Sequence, residues 1–256
     1  MIFATDLDRT IIHSSKFIKN KADAICVETL DGKEISYMSK RALFLFNELK
    51  KKDTLRIIPV TTRSIAQFKR IEPLQSLPFA ITSNGGTILY HGNVLSSWSY
   101  KIKEIVEKRI KEYEEIKNIL DKHKKYLTRV PTLIDDMFFF TKVKEDEKKE
   151  IAEILDKELK DLTWEFTIQG IKLYIMPKEI SKENALKFLR EYLHENFLIT
   201  AGDGKLDVGF LNMGDKRIVP EKSEVIEYLD LTKKNYKFVP EGMKGPETIF
   251  SDLMVM

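Results

Sequence analysis

Short apolar runs alternate with amphipathic helical patterns in the first part of the chain. Residues 2–5, 55–60 and 79–82 are apolar segments typical of buried strands in a parallel sheet. Between the first two, Ser39 has the character of a helix N-cap, and the apolar positions that follow it share one helical face to about Lys51. This alternation predicts a parallel sheet covered by helices.

One further element interrupts this alternation after the first strand. Residues 24–37 contain two β-type runs on either side of Asp31-Gly32. An Asp-Gly pair between such runs is a strong signal for a two-residue hairpin turn. We therefore predict a β-hairpin here.

The middle of the chain has a different pattern. Apolar residues recur at helical spacing over 102–127 and again over 151–159. Between and after these helices, β-type runs cover 137–143, 163–168 and 171–176. Helices with strands in this order predict an α+β module inserted into the chain.

The alternating α/β pattern then resumes. Ser181 is a candidate N-cap for a helix over 182–194. The remaining predicted elements are a strand at 197–201, a helix at 223–231, a strand at 236–239 and a helix at 246–256. We therefore predict an α/β protein with a core formed by residues 1–90 together with 177–256 and an inserted α+β domain at 91–176.

The composition excludes several classes of protein. Charged residues balance at 43 basic and 40 acidic, and the lysine-rich stretches are interleaved with glutamate, which gives no indication of nucleic-acid binding. No segment approaches the ~20 apolar residues of a membrane span, and no basic leader precedes an apolar run. Cys26 is the single cysteine, which excludes an intrachain disulfide and argues against a structural zinc cluster. We expect a soluble, cytoplasmic protein without nucleic-acid or membrane partners.

Polar segments follow three of the predicted strands directly. They are Asp6–Asp8, Thr61–Arg63 and Gly202–Asp207. In an open α/β sheet, ligands bind beyond the carboxyl ends of the strands. Two aspartates one residue apart repel each other unless a cation or a shared proton lies between them. Carboxylate, hydroxyl and glycine-rich backbone groups fit a magnesium ion that holds a phosphate, whereas zinc would favour His or Cys.

The order of these motifs resembles the haloacid dehalogenase-like superfamily. "DLDRT" is similar to the first motif of the family, usually Asp-x-Asp-Gly-Thr, and "VTTR" and "SNGG" stand where its next polar segments are found. "PKEISKENALKFL" is similar to the segment with the third-motif lysine, and "GDGKLD" to the acidic fourth motif. Specifically, the chain resembles subclass IIB, the branch of the Cof, sucrose-phosphatase, trehalose-phosphatase and phosphomannomutase proteins. The motifs account for about half the chain; the insertion is similar only in position and pattern.

The resemblance implies a fold and a set of catalytic roles. The fold is a Rossmann-like, doubly wound parallel sheet with an inserted C2-type α+β cap that closes over the site and selects the substrate. Asp6 would be the nucleophile and form an aspartyl-phosphate. Asp8 would protonate the leaving alkoxide and then deprotonate water. Thr61 would donate a hydrogen bond to the phosphoryl group, and Lys182 would balance charge on the nucleophile and the phosphate.

The resemblance also implies Mg²⁺ as the cofactor. Asp6, the backbone carbonyl of Asp8 and Asp203 would hold the ion, and Asp207 would orient the metal shell and the lysine. The ion is required because a carboxylate and a phosphate dianion otherwise repel each other. Leu206 stands where the family usually has asparagine, so the outer metal shell is expected to differ.

Five further residues are predicted to bind the substrate: Arg9, Thr62, Arg63, Asn84 and Gly85. Two of them depart from the family pattern, because Arg9 and Thr62 each replace a glycine. Arg9 has two interpretations of equal weight, a surface arginine paired with a nearby acid or a contact to an anionic group of the substrate. Two interpretations are open for Trp164 and Tyr174 of the insertion, core residue or substrate contact. The core interpretation is favoured.

The resemblance thus predicts a Mg²⁺-dependent phosphatase that hydrolyses a small phosphomonoester, such as a sugar or polyol phosphate. The presence of Asp8 favours phosphoryl transfer over dehalogenation, since a halide leaving group needs no proton donor. A phosphomutase of the same branch is the nearest alternative, and a non-catalytic phospho-ligand-binding or regulatory protein is the alternative from another class. The expected partner is a small phosphorylated substrate, and the expected state is a monomer or weak homo-oligomer.

Overall fold

The computed structural model describes residues 1–233 and 235–256. The chain divides into two compact units. The core unit comprises Met1–Leu95 and Lys182–Met256, and the inserted unit comprises Ser96–Ser181. The divisions thus lie at 95/96 and 181/182, a few residues beyond the boundaries expected from the sequence.

The elements are numbered in chain order through both units. The strands are β1 (Ile2–Thr5), β2 (His13–Ser14), β3 (Ala24–Leu30), β4 (Lys33–Ser39), β5 (Arg56–Pro59), β6 (Phe79–Thr82), β7 (Thr87–Tyr90), β8 (Asn93–Val94), β9 (Thr132–Ile134), β10 (Phe138–Lys142), β11 (Trp164–Gln169), β12 (Lys172–Pro177), β13 (Leu198–Ala201), β14 (Lys216–Pro220) and β15 (Tyr236–Val239). The α-helices are α1 (Lys40–Leu49), α2 (Ile65–Phe68), α3 (Ser96–Lys122), α4 (Lys148–Glu158), α5 (Lys182–Tyr192), α6 (Val208–Asn212) and α7 (Lys244–Met254).

A parallel five-stranded sheet forms the centre of the core unit, in the order β15-β14-β13-β1-β5. A parallel bridge between Val60 and Ile81 continues it towards β6. Thr5 at the end of β1 pairs with Ala201 of β13 on one side and with Pro59 of β5 on the other. Because these three strands end in register, the polar segments that follow them leave the sheet at the same edge.

The strands of this sheet can be apolar throughout because helices shield the sheet from water. Every residue of β1 is fully buried, as expected for a central strand of a parallel sheet. Helices α1 and α7 pack together through Phe46 and Phe250, whose ring centres are 5.5 Å apart. The predicted N-cap is confirmed, since Ser39 Oγ accepts a hydrogen bond from the N–H of Ala42 at 3.0 Å.

The predicted hairpin is confirmed as β3 and β4. Asp31 and Gly32 form its turn with φ of 50° and 73°, the left-handed pair required by a two-residue turn of this type. A register shift between Cys26 and Glu28 marks a β-bulge in β3. The bulge places two successive residues, Val27 and Glu28, in buried positions.

The inserted unit is an antiparallel sheet with two helices, as the sequence pattern predicted. Its strands follow the order β11-β12-β10-β9, and α3 and α4 contribute apolar faces to its core. Trp164 is 1% exposed and meets Tyr113 edge to face at 4.8 Å between ring centres. Trp164 is therefore a core residue of this unit, as the favoured interpretation of the sequence predicted.

Two corrections concern the C-terminal part of the core unit. The helix expected over 223–231 is a 3₁₀ segment at Glu224–Tyr228, where the N–H of Val225 donates to the carbonyl of Asp203. Strand β14 was not predicted, because a buried Arg217 interrupts its short apolar run; its guanidinium is satisfied by the carbonyls of Gly214 and Asn212 at 3.1 and 2.7 Å. Among the helices within 1–233 and 235–256, none is long and apolar enough to cross a membrane.

Candidate active site

The turn after β1 presents the first two aspartates. The N–H of Asp6 donates to the carbonyl of Ala201 at 2.8 Å, which keeps Asp6 in line with the neighbouring strand. The Leu7 carbonyl then accepts hydrogen bonds from the N–H groups of residues 10–12 at 2.9–3.2 Å, so the chain turns tightly. Arg9 lies in this turn with φ of 64°, a left-handed conformation that glycine adopts more readily.

Lys182 links two of the polar segments. Its ammonium nitrogen lies 2.6 Å from Oδ1 of Asp6 and 2.6 Å from Oδ1 of Asp207. The lysine side chain is only 2% exposed, at the start of α5. Burial lowers the pKa of Lys182, but the charges of Asp207 and Asp6 outweigh this effect and raise it above its ordinary value. Lys182 is therefore a buried cation shared by two carboxylates.

Asp207 organises the loop that contains the fourth motif. Its Oδ2 accepts hydrogen bonds from the N–H groups of Asp203 and Gly204, each at 2.9 Å, while its Oδ1 is bound by Lys182. The loop passes so close that a Cβ on Gly202 would lie 2.7 Å from Cβ of Asp207. The glycine at 202 is thus required by the close approach of the aspartate.

Three buried carboxylates meet at this edge of the sheet. One oxygen from each of Asp6, Asp203 and Asp207 lies within 4.8 Å of the others. Burial, opposed by Lys182 and reinforced by Asp207 and Asp8, raises the pKa of Asp6 to about 7. Burial, with the nearby charge of Asp6, also raises the pKa of Asp203 well above its usual range.

This donor set fits a hard divalent cation. A cation between Asp6 and Asp203 would relieve the burial and mutual repulsion that raise both pKa values. Both oxygens of Asp207 already accept hydrogen bonds from Lys182 and the loop backbone. The arrangement favours Asp6 and Asp203 as direct ligands, and Asp207 as the residue that holds the loop and the lysine around them.

Arg9 pairs with one of these carboxylates. Its Nε lies 2.9 Å from Oδ2 of Asp203, and its side chain is 46% exposed. The structure thus contains the acid pairing considered in one of the two interpretations of Arg9. Contact with an anionic substrate group stays a prediction.

Arg63 binds the second aspartate of the first motif. Its Nε and Nη2 each lie 2.8 Å from an oxygen of Asp8, a bidentate pair. On its other side, Nη1 donates to Oε2 of Glu28 at 2.8 Å. Burial lowers the pKa of Arg63, but hydrogen bonds and charge from Asp8 and Glu28 raise it above its ordinary value. The guanidinium of Arg63 thus lies between two carboxylates of this chain, and its contact with substrate stays a prediction.

Glu28 is the residue near the site that sequence analysis missed. It comes from the β3 hairpin, and its side chain is fully buried. The signal was present as an acidic residue inside the β-type run "ICVETL", with Arg63 and Arg70 later in the chain. Without the fold, a glutamate in a hairpin is most simply interpreted as exposed.

Backbone hydrogen bonds join the two polar loops that follow β5 and β6. The N–H of Asn84 donates to the Thr61 carbonyl at 3.0 Å, and the N–H of Ser83 donates to the Arg63 carbonyl at 2.7 Å. Thr61 is 1% exposed, and Gly85 continues the left-handed turn with φ of 94°. The predicted residues Thr61, Arg63, Asn84 and Gly85 therefore lie in two adjoining loops, and Thr62 lies between the first two. Their binding of substrate stays a prediction.

Part of the chain matches a known protein family. Residues 96–219 match the haloacid dehalogenase-like hydrolase family. Over this range the chain resembles haloacid dehalogenase-like hydrolases. The matched range includes Lys182, Asp203 and Asp207, and the predicted family and enzyme class are confirmed. No curated protein sequence matches the chain.

Solved structures share the fold of this chain. The sucrose-phosphatase from Synechocystis, solved with sucrose and phosphate, has a TM-score of 0.68 at 12% identity and covers 99% of this chain and 98% of its own. A subclass IIB sugar phosphatase has a TM-score of 0.60 at 14% identity, with coverage of 100% and 99%. A protein from Thermotoga maritima has a TM-score of 0.57 at 16% identity, with coverage of 100% and 97%. These likenesses confirm the predicted α/β fold with an inserted α+β unit.

Proposed function

We propose that this protein is a Mg²⁺-dependent phosphatase that hydrolyses a small phosphomonoester, a sugar or polyol phosphate, through an aspartyl-phosphate on Asp6. The observation that carries the proposal is the arrangement around Asp6. This buried carboxylate lies 2.6 Å from the Lys182 ammonium and beside the carboxylate of Asp203. A nucleophilic carboxylate needs this environment, because cationic neighbours keep it ionised against the effect of burial.

In the first step, the free oxygen of Asp6 attacks the phosphorus atom. A bond forms between phosphorus and the Asp6 oxygen, and the bond from phosphorus to the substrate alcohol oxygen breaks. The departing oxygen keeps the electron pair and takes a proton from Asp8, which must carry that proton at this step in spite of its pairing with Arg63. Lys182 balances the negative charge on Asp6 and the phosphoryl group, and Thr61 donates a hydrogen bond to a phosphoryl oxygen.

In the second step, water attacks the aspartyl-phosphate. Asp8, now a carboxylate, takes a proton from the water while the water oxygen bonds to phosphorus. The bond between phosphorus and Asp6 breaks, and its electron pair returns to the Asp6 carboxylate. Inorganic phosphate leaves, and both aspartates regain their starting protonation states.

The metal ion is assigned to Asp6, Asp203 and the Asp8 carbonyl. When bound, Mg²⁺ supplies positive charge that offsets the repulsion between the carboxylate nucleophile and the phosphate oxygens. Asp207 keeps Asp203 and Lys182 in place through the hydrogen bonds described above. Arg9, Thr62, Arg63, Asn84 and Gly85 remain the predicted substrate-binding residues.

Sugar phosphates are the first substrates to test, because two structures with this fold are described as a sucrose-phosphatase and a sugar phosphatase. A phosphomutase is the alternative with the same chemistry, and a non-catalytic phospho-ligand-binding protein is the alternative without turnover. The assignment of the inserted unit to substrate selection, the cytoplasmic location and the monomeric or weakly oligomeric state stay predictions.

The test is release of inorganic phosphate from a panel of sugar, polyol and aryl phosphates, with Mg²⁺ and with a chelator. Asp6→Asn should abolish release, whereas Asp53→Asn, at an exposed aspartate of the same unit, should leave it unchanged. Isomerised substrate without phosphate release would identify a mutase. A folded, Mg²⁺-binding protein that neither releases nor transfers phosphate would contradict the proposed enzyme.

A further inference from the structure

Glu28 is a buried acid without a role in the chemistry described above. Its side chain is fully buried at the bulge in β3. A glutamate in this position is costly unless every carboxylate oxygen is paired. Both oxygens are paired: Oε1 accepts from Nε and Nη2 of Arg70 at 3.2 and 3.0 Å, and Oε2 accepts from Ser36 Oγ at 2.6 Å and from Arg63 Nη1 at 2.8 Å.

The Arg63 guanidinium connects Glu28 to Asp8. Its Nε and Nη2 edge holds both oxygens of Asp8, and its Nη1 nitrogen holds Glu28. A guanidinium is planar, so fixing Nη1 also fixes the orientation of the edge that faces Asp8. The Arg63 side chain is 12% exposed, whereas that of Asp8 is 47% exposed. The rigid part of the network is therefore the Glu28–Arg63 pair, and the accessible part is the Asp8 carboxyl.

We propose that Glu28 is a positioning residue for Asp8 and acts through Arg63. The inference rests on the proposed function, in which Asp8 gives its proton to the leaving oxygen. Proton transfer in a transition state requires the donor within hydrogen-bond reach of the acceptor, and a misplacement of 1 Å is costly. The hairpin that follows the first motif thereby contributes to catalysis without touching the substrate.

This role predicts an effect that depends on the leaving group. An alkoxide leaving group needs the proton of Asp8, whereas an activated nitrophenolate departs without one. If Glu28 positions Asp8, its loss should slow cleavage of alkyl phosphates and spare that of activated aryl phosphates. A merely structural role would lower both rates together, because it would reduce the amount of folded enzyme or displace the nucleophile.

The experiment compares kcat/KM of Glu28→Gln and wild type for two substrates, the best alkyl phosphate of the panel and 2,4-dinitrophenyl phosphate. The ratio kcat/KM is used because it reports the step in which the leaving group departs. Glu28→Gln keeps the size of the side chain and removes its charge. For the alkyl phosphate we expect a loss of at least about tenfold, with the full general-acid contribution of ~10²–10⁴-fold as its upper limit. For the aryl phosphate we expect a loss of less than about threefold.

Two further variants complete the design. Glu34→Gln is the matched control: it makes the same change at an exposed glutamate of the same hairpin and should leave both rates unchanged. Ser36→Ala removes the hydroxyl that donates to Glu28. It retains the charges of Glu28 and Arg63, so it should destabilise the fold less than Glu28→Gln does. It should show the same leaving-group dependence at smaller amplitude, which keeps the proposal testable if Glu28→Gln folds poorly.

The outcomes separate the inference from the proposed function. Equal losses for both substrates, or no loss for either, in folded Glu28→Gln or Ser36→Ala would overturn the positioning role while the phosphatase proposal stands. Wild-type protein that hydrolyses neither substrate would overturn the phosphatase proposal, and the role of Glu28 would fall with it.

Discussion

The Lys182 ammonium lies 2.6 Å from Asp6 Oδ1, although the two residues are 176 positions apart in the sequence. The same nitrogen is 2.6 Å from Asp207 Oδ1. One buried cation, at the first residue of α5, thus binds carboxylates from the segments that follow β1 and β13.

Lys182→Met should abolish phosphatase activity and destabilise the protein. Removing one partner of a buried ion pair leaves an uncompensated charge and costs about 3–5 kcal/mol. Urea unfolding and phosphate release measure the two effects. Lys187→Met is the matched control, because Lys187 is exposed on the same helix. A Lys182→Met variant with wild-type stability would contradict the shared-cation arrangement.

Gly202→Ala should disrupt the loop around Asp207. The added Cβ would lie 2.7 Å from Cβ and 2.8 Å from Oδ2 of Asp207, so the carboxylate must move. We expect a loss of about 1–3 kcal/mol in the free energy of unfolding, as for other overpacked sites. Phosphate release should fall as well, since Asp207 holds Lys182. Unchanged unfolding and activity together would show that the loop relaxes without cost.

Arg9→Gly and Arg9→Ala should separate backbone strain from charge. Glycine relieves the left-handed φ of 64° at this position and alanine does not, so the glycine variant should be more stable than the alanine variant by about 1 kcal/mol. Both variants remove the cation beside Asp203. Both should therefore bind Mg²⁺ more tightly, with a severalfold lower midpoint in a Mg²⁺ titration of activity. Weaker binding in both would indicate that Arg9 supports the metal site.

His13 should make the protein less stable in mild acid. Burial lowers the pKa of His13 to about 4, from an ordinary value of 6.5. Between these values the unfolded chain takes up the proton and the folded chain does not, so stability is lost as the pH falls from 6.5 towards 4. From pH 7.5 to pH 5 the loss due to this residue should be about 2 kcal/mol. Urea unfolding of wild type and His13→Phe at both pH values measures it, and equal pH dependence in the two proteins would contradict it.

Local patterns in the sequence were sufficient for most of the core fold. The apolar run of β1, the Ser39 cap and the Asp31-Gly32 turn each depend on neighbouring residues, and each is present as predicted. Strand β14 escaped prediction because its burial depends on partners on both sides, β13 and β15. A buried arginine within so short a run has no local signature of a strand.

The candidate site was also predictable only in part. The sequence by itself determined which residues follow the strand ends, and parallel strands in register bring such residues to one edge. Asp6, Thr61, Asp203 and Asp207 were predicted on this basis. Only the tertiary structure decided which side chains pair there, because hydrogen bonds between segments distant in sequence depend on three-dimensional distance and burial. It placed Arg63 on Asp8 and brought the buried Glu28 of the hairpin behind it. A charge in a β-type run is recognised as buried only when the opposite charges that compensate it are in place.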